Sequence, residues 1–333
     1  MTRATRRSVI RRGFSIVATA FLIGVMTVLA AVQSRTAAAQ TTNKIRLGVP
    51  TWIGYGAVYI GQEKGLFSGI TVELRRSDDS NVFNAAMLRG ELDGYCTTLD
   101  TFVIAAAGGV PGVAAYLFDE SAGADGILAR PGIKSVSDLR GKTIAAQTGF
   151  PNHFFLLHVM RAAGIPSSQY THVNLDSDKA GAAFVSGTLD AAVTWEPWLS
   201  RARQLGKGTL LTTTRDYPSL LVDALIAHPV SLQRRTAEMR ALVQGLIKAV
   251  EFWEASPSEG NSIVAKHFLL APDAVGDMVR GVRFLNQAAN RDYLASQGRA
   301  WRTLTAAADI WQEAKLIKKA PDLSKATSDD LVK

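Results

Sequence analysis

The chain has 333 residues, a formal net charge of +8 and a single cysteine, Cys96. Six arginines and no acid fall in the first 39 residues, so the remainder carries only about +2, too weak a field to select nucleic acid or an anionic membrane. One cysteine excludes an internal disulfide and any CxxC metal or redox motif, and Cys96 is expected to be a buried small apolar residue.

Met1–Ala39 has the layout of a secretory signal. Arg3, Arg6, Arg7, Arg11 and Arg12 form a basic start, Phe14–Val32 an apolar stretch, and Ala37-Ala38-Ala39 a small-residue cleavage site before Gln40. The expected location is the periplasm, with cleavage near Ala39-Gln40. The arginines fit twin-arginine export and the apolar stretch fits the general route, and the residues do not choose between them.

From Lys44 onward strands and helices alternate with short Gly-marked joints, the pattern of a mostly parallel, covered sheet. Strands are expected at Ile45–Val49, Ile70–Leu74, Gly94–Thr97, Val113–Phe118 and Ile127–Arg130, with helices at Ala57–Lys64, Asn81–Arg89 and Thr101–Ala107. Polar Lys134–Leu139 reads as the entry to a second lobe. There Thr143–Gln147, Thr171–Leu175, Ala191–Thr194 and Thr209–Thr213 are expected strands, and Asn152–Ala163, Lys179–Ser186 and Pro197–Leu205 expected helices. Leu220–Ala227 reads as a returning strand that pairs with Ile127–Arg130 to make a two-strand hinge. Helical periodicity then dominates: Leu232–Ala255, Ser258–Phe268, Ala274–Asn286, Arg299–Glu313 and Leu316–Lys319 are expected to pack on the first lobe, ahead of a frayed Thr327–Lys333. The division is thus 44–130 for the first part of lobe 1, 131–219 for lobe 2, and 220–333 for the return strand and C-terminal helices.

A repeat supports two similar lobes. Ala85–Thr98 (AAMLRGELDGYCTT) and Ala182–Trp195 (AAFVSGTLDAAVTW) lie 97 residues apart and agree at six of fourteen positions, against roughly one by average composition. The fold class is therefore α/β: two α/β lobes facing a cleft, where strand ends bind small ligands.

Catalytic signatures are absent: the chain has no GxSxG, Walker, HExxH or GxGxxG motif, and its five histidines are scattered. No catalytic residue, metal site or cofactor is expected. Candidate ligand contacts lie at strand ends. Trp52, Gly54 and Tyr55 follow the first strand and offer ring faces on a flexible turn. Thr97, Thr98 and Asp100 follow the third, while Thr148, Gly149 and Asn152 open the second lobe's first helix. Trp195 and Glu196 sit in Trp195-Glu196-Pro197-Trp198, a carboxylate flanked by tryptophans, with Pro197 expected at the first helical position. Asp125 and Asp223 border the same cleft. With these acids and no Lys or Arg at the candidate positions, the expected solute bears an amino or guanidino-like group, cationic or zwitterionic as taurine is; the alternative is that the acids face solvent or cap helices and the neutral donors hold an anion.

Gly54–Phe67 (GYGAVYIGQEKGLF), Asp138–Thr148 (DLRGKTIAAQT) with Gly149–His153, and Ala182–Pro197 (AAFVSGTLDAAVTWEP) resemble the periplasmic solute-binding proteins of ABC importers for nitrate, sulfonates and taurine. That group is similar in fold to the thiamine-pyrimidine precursor binders. The resemblance implies a type II periplasmic-binding fold with two lobes joined by two strands. It also implies a monomeric, non-enzymatic receptor that hands a small solute to an ABC permease with its ATPase. Its contacts carry over to Trp52, Gly54, Tyr55, Thr97, Thr98, Thr148, Gly149, Asn152, Trp195 and Glu196. The Cys-rich motif of the precursor synthases is missing. An enzyme of that synthase type and a periplasmic sensor module are the alternative readings.

Overall fold

The structure, a computed structural model, describes residues 43–333, so the expected signal and its cleavage site lie outside the described residues. Two sheets organise the rest. Lys44–Val49 (β1), Thr71–Arg76 (β2) and Gly94–Thr98 (β3) run parallel in the first sheet. Val113–Ser121 (β4), Val222–Ala227 (β10) and Val282–Phe284 (β11) complete it in the order β11-β4-β10-β3-β1-β2. The second sheet holds Thr143–Ala146 (β6), Thr171–Asn174 (β7) and Ala191–Trp195 (β8) in parallel, with Asp125–Ala129 (β5) and Thr209–Thr213 (β9), in the order β7-β6-β8-β5-β9.

The repeat has a physical cause. In both copies the Asp of the LD pair latches its segment to the first parallel strand of its sheet. Asp93 Oδ2 accepts from the Arg46 amide at 2.8 Å, and Asp190 Oδ2 from the Thr143 amide at 2.9 Å. The glycine before each latch stops a helix with a positive φ, 66° at Gly90 and 105° at Gly187, which a side chain would oppose. Asp93, buried, is further held by Arg46, Arg235 and Ser231.

The crossing between sheets differs from the expected one. Ile127–Arg130 and Leu220–Ala227 do not pair: β5 lies between β8 and β9 in the second sheet, while β10 lies between β3 and β4 in the first. The chain therefore crosses at 122–124 and returns at 214–221. Both runs are mostly apolar, broken only by Arg130 and Asp223, and periodicity shows that such a run is buried without showing in which sheet. Buried Thr214 clasps the two crossings: its hydroxyl meets Ser121 Oγ at 2.7 Å and accepts from the Gly123 amide at 2.9 Å. Lys134–Leu139 is an internal turn of the second half, with Val136–Leu139 in a single 3₁₀ turn closed by a Ser135–Asp138 capping box.

Helices cover the parallel strands. Gly56–Glu63 (α1), Ser80–Leu88 (α2) and Leu99–Ala107 (α3) belong to the first half; Pro151–Ala162 (α4), Ser177–Ser186 (α5) and Trp198–Gln204 (α6) belong to the second. Of the C-terminal helices, Pro229–Arg234 (α7) and Thr236–Ala255 (α8) replace the single helix expected over 232–255. Pro257–Phe268 (α9) follows as expected. The expected helix 274–286 is instead Pro272–Val279 (α10) and strand β11, with Gln287–Leu294 (α11) after it, because Gly281, where a Cβ would come within 2.7 Å of the Ala124 amide, packs against the crossing at 122–124 and brings the following strand onto β4. Residues 316–319 are not helical. The tail is not frayed: Leu331 and Val332 are buried and Thr327 bridges Ala114. Arg299–Glu313 (α12) packs on both α3 and α4, so the C-terminal helices are not confined to the first half. Its fully buried Trp311 donates to the Asp100 carbonyl at 2.8 Å and lies against the rings of Phe154 and His153.

Candidate functional site

A cavity of about 750 Å³ opens where the carboxyl ends of the parallel strands in both sheets converge. That size suits a small organic ligand. Eight expected contacts line it: Trp52, Tyr55, Thr97, Thr98, Asp125, Thr148, Trp195 and Asp223. Register explains their grouping. In the second sheet Asp125 sits directly opposite Trp195, and in the first Asp223 sits between Thr98 and Asp119. Cross-strand partners share a face, so each sheet offers a carboxylate beside an aromatic or hydroxyl neighbour.

The other five lie behind or beside the lining. Gly54 is buried, and a Cβ there would come within 1.9 Å of Asp119 Oδ2. The residue type is thus fixed by the carboxylate beneath it. Asp100 is fully buried in the first turn of α3, with Oδ1 unpartnered, and burial pushes its carboxyl up to about 7. Gly149, at φ 78°, turns the chain into α4 and donates to His153 Nδ1 at 3.4 Å. Asn152 is buried and accepts from Ser177 Oγ at 2.6 Å. Glu196 turns away to cap α6, accepting from the Ser200 amide at 3.0 Å and hydroxyl at 2.9 Å. Pro197 precedes α6 rather than opening it.

Sequence reasoning missed the rim. Ser77–Asn81 after β2, and Asn174 with Asp176–Lys179 around the start of α5, line the mouth, and Tyr95, Cys96, Thr101 and Gln147 also line the cavity. Their signal was positional: both polar runs follow the carboxyl end of a parallel strand, where such folds place ligands. Cys96 is buried as expected, yet it contributes to the floor.

The lining contains six aspartates and one lysine, Lys179, but the aspartates differ in what they hold. Asp78 accepts from the Thr51 amide and hydroxyl, Asp79 caps α2, Asp176 pairs with Lys179, and Asp178 accepts from Trp198 Nε1. Asp125 and Asp223 are almost fully buried and have no basic partner among the described residues. Burial raises Asp125 to about 7 and, with the Asp119 charge next to it, raises Asp223 well above the usual carboxylate range. Two desolvated acids beside Trp52, Tyr55 and Trp195 make a site that gains most from a cation.

His153 serves the scaffold. Its ring stacks on His172 at 4.3 Å and tilts against Trp311. Burial, then the neighbouring His172, lowers it to about 4. The unfolded chain takes up that proton near pH 6.5 and the folded one does not. Its contribution to stability is therefore present above about pH 6.5 and is lost as pH falls towards 4, by up to about 3 kcal/mol. His153→Gln should flatten the pH 4–6.5 part of a urea-unfolding series; an unchanged slope would assign the titration elsewhere.

Paired α/β sheets, two chain crossings and a cavity between strand ends define the periplasmic-binding fold. The periplasmic aliphatic sulphonate binding protein SsuA from Escherichia coli has this architecture, with a TM-score of 0.75 at 20% identity over 86% of this chain and 92% of that one. By sequence, a Brucella abortus (strain 2308) protein named as a candidate binding protein is 25% identical over 232 residues, 66% of this chain and 71% of its own length. The taurine-binding periplasmic protein of Escherichia coli K12 is 24% identical over 193 residues, 57% of this chain and 60% of its own. The chain belongs to the NMT1/THI5-like family, whose model matches residues 52–260.

Proposed function

We propose that this protein is the periplasmic substrate-binding component of an ABC importer, acting as a monomer that captures a small amino-bearing cation or zwitterion and delivers it to a permease with its ATPase. The sulfonate- and taurine-binding relatives support the transport role. The observation that carries the ligand class is the pair of buried acids in the cavity, Asp125 and Asp223, set among Trp52, Tyr55 and Trp195 with Lys179 as the lining's one basic residue. A bare anion would meet these acids at close range, whereas an ammonium or guanidinium gains charge-assisted hydrogen bonds and ring faces. Taurine's ammonium group fits this lining, and its sulfonate has the hydroxyls and helix-start amides near Thr98 and Thr148.

Calorimetry with matched probes tests the reading. Taurine should bind more tightly than ethanesulfonate, and guanidinium more tightly than nitrate, because each pair differs chiefly in the cationic group. Tighter binding of the two pure anions would reverse the assignment.

A further inference from the structure

The cation reading leaves one group unused. Asp119 lies directly opposite Asp223 in the β4–β10 register, immediately behind the cavity wall. It is completely buried, and its Oδ2 has no hydrogen-bond partner. Directly opposed residues on paired strands have Cβ atoms about 5 Å apart, close enough for two carboxyl groups to meet. The loop over them supplies neutral donors only: Trp52 Nε1 donates to Asp119 Oδ1 at 3.2 Å, and the Tyr55 hydroxyl donates to Asp223 Oδ1.

The surroundings offer the pair no countercharge. Glu120, next on β4, is matched by Arg283 of β11, whose Nε donates to Glu120 Oε1 at 2.8 Å and whose Nη2 donates to the Tyr293 hydroxyl at 3.0 Å. Asp125 faces the pair from β5, Asp100 from α3, Cys96 from β3, and Tyr116 from β4 itself. Every one of these is acidic or neutral. Two like charges so placed cannot both ionise without a cation, and the resolution is one proton held between them.

We propose that Asp119 and Asp223 share one proton in the ligand-free protein, and that a cationic solute docking against Asp223 expels it. This rests on the cation reading of the cavity. In the step, the carboxyl–carboxylate pair, of charge −1, meets a cation of charge +1. The O–H bond breaks, the proton leaves through the open cavity to buffer, and two carboxylates remain beside the cation. Asp119 is then a positioning residue: it does not line the cavity, yet it sets the protonation of Asp223, which does. Burial, with the surrounding acids, raises both members above the ordinary carboxylate range, Asp119 to about 8, so the ligand-free pair still holds its proton at neutral pH. A solute that favours the ionised pair binds more tightly as pH rises and reaches a plateau once the free pair has lost its proton.

Two measurements test this. Infrared difference spectra of ligand-free wild type minus ligand-free Asp119→Asn should show a protonated-carboxyl band at pH 7, the bands of Asp100 and Asp125 being common to both proteins; a difference spectrum lacking that band overturns the shared proton. Guanidinium chloride, followed by tryptophan fluorescence and by calorimetry in phosphate and in Tris, should bind up to tenfold more tightly per pH unit between pH 6 and 8, with up to one proton released. Asp119→Asn should bind guanidinium with a shallower pH profile and release fewer protons, because removing the neighbouring charge lowers Asp223, while the remaining pH dependence belongs to burial and to Asp125. Pushing Asp223 the other way, Tyr55→Phe removes its neutral donor and should move the pH midpoint upwards. Equal affinity at pH 6 and 8 with no buffer-dependent heat overturns the coupling. Absence of guanidinium binding alongside an intact carboxyl band overturns the cation reading and the coupling built on it, and leaves the shared proton standing.

Discussion

Trp195→Ala is expected to weaken binding of the solute by about 2 kcal/mol, or roughly thirtyfold. The ring ends β8, stands opposite Asp125 and lines the cavity while only partly buried in the ligand-free protein. A large aromatic that is half-exposed without ligand has apolar surface to lose on closure, and its face is available to a cation held by Asp125. Trp52 lines the cavity from the first sheet's side, so binding should also change tryptophan fluorescence. Affinity unaltered in Trp195→Ala, with circular dichroism unchanged, would reduce the ring to a packing element.

The second large effect is a trade between stability and binding at Asp125. Burial holds this carboxyl at about 7, whereas the unfolded chain releases its proton near pH 4. A raised acid opposes folding increasingly as pH rises from about 4, because the folded state retains a proton that the unfolded state has lost; the penalty is complete once pH passes about 7. Asp125→Asn removes the titration while keeping the shape. It should raise unfolding free energy at pH 7.5 by roughly 1–3 kcal/mol and leave it nearly unchanged at pH 4. The same change removes a charged acceptor from the cavity and should weaken a cationic solute about tenfold to a hundredfold. A variant that gained no stability at pH 7.5 would mean that the carboxyl is ionised and already compensated. One that gained stability and kept full affinity would remove Asp125 from the ligand's surroundings. The opposing movement is characteristic of a binding residue held in an environment that does not suit the empty protein.

Much of this was legible beforehand, for reasons that are local. The LD repeat announced two similar halves because each Asp caps a strand amide a fixed distance away, and each preceding glycine stops a helix, so the same short-range demands recur at Asp93 and Asp190. Alternating strand and helix patterns fixed the fold class, and strand-end positions pointed to Trp52, Tyr55, Thr97, Thr98, Thr148 and Trp195, all of which reach the cavity. What the residues could not convey was partnership across long separations. Whether Asp125–Ala129 joins the first or second sheet depends on the glycine turn at 123 and on Thr214, some ninety residues later, closing over it. Glu196 and Asp223 are both acids near strand ends. The cap on Ser200 withdraws one, and the register with Thr98 and Asp119 aims the other at the cavity. Asp119 gave no distinguishing signal, since its burial against a second carboxylate exists only once β4 and β10 are side by side. Local hydrogen bonding and periodicity are written in neighbouring residues, so the sequence determined the elements and the two-lobed class; pairing of distant strands is selected by the whole core, so the tertiary structure alone decided which carboxylates meet.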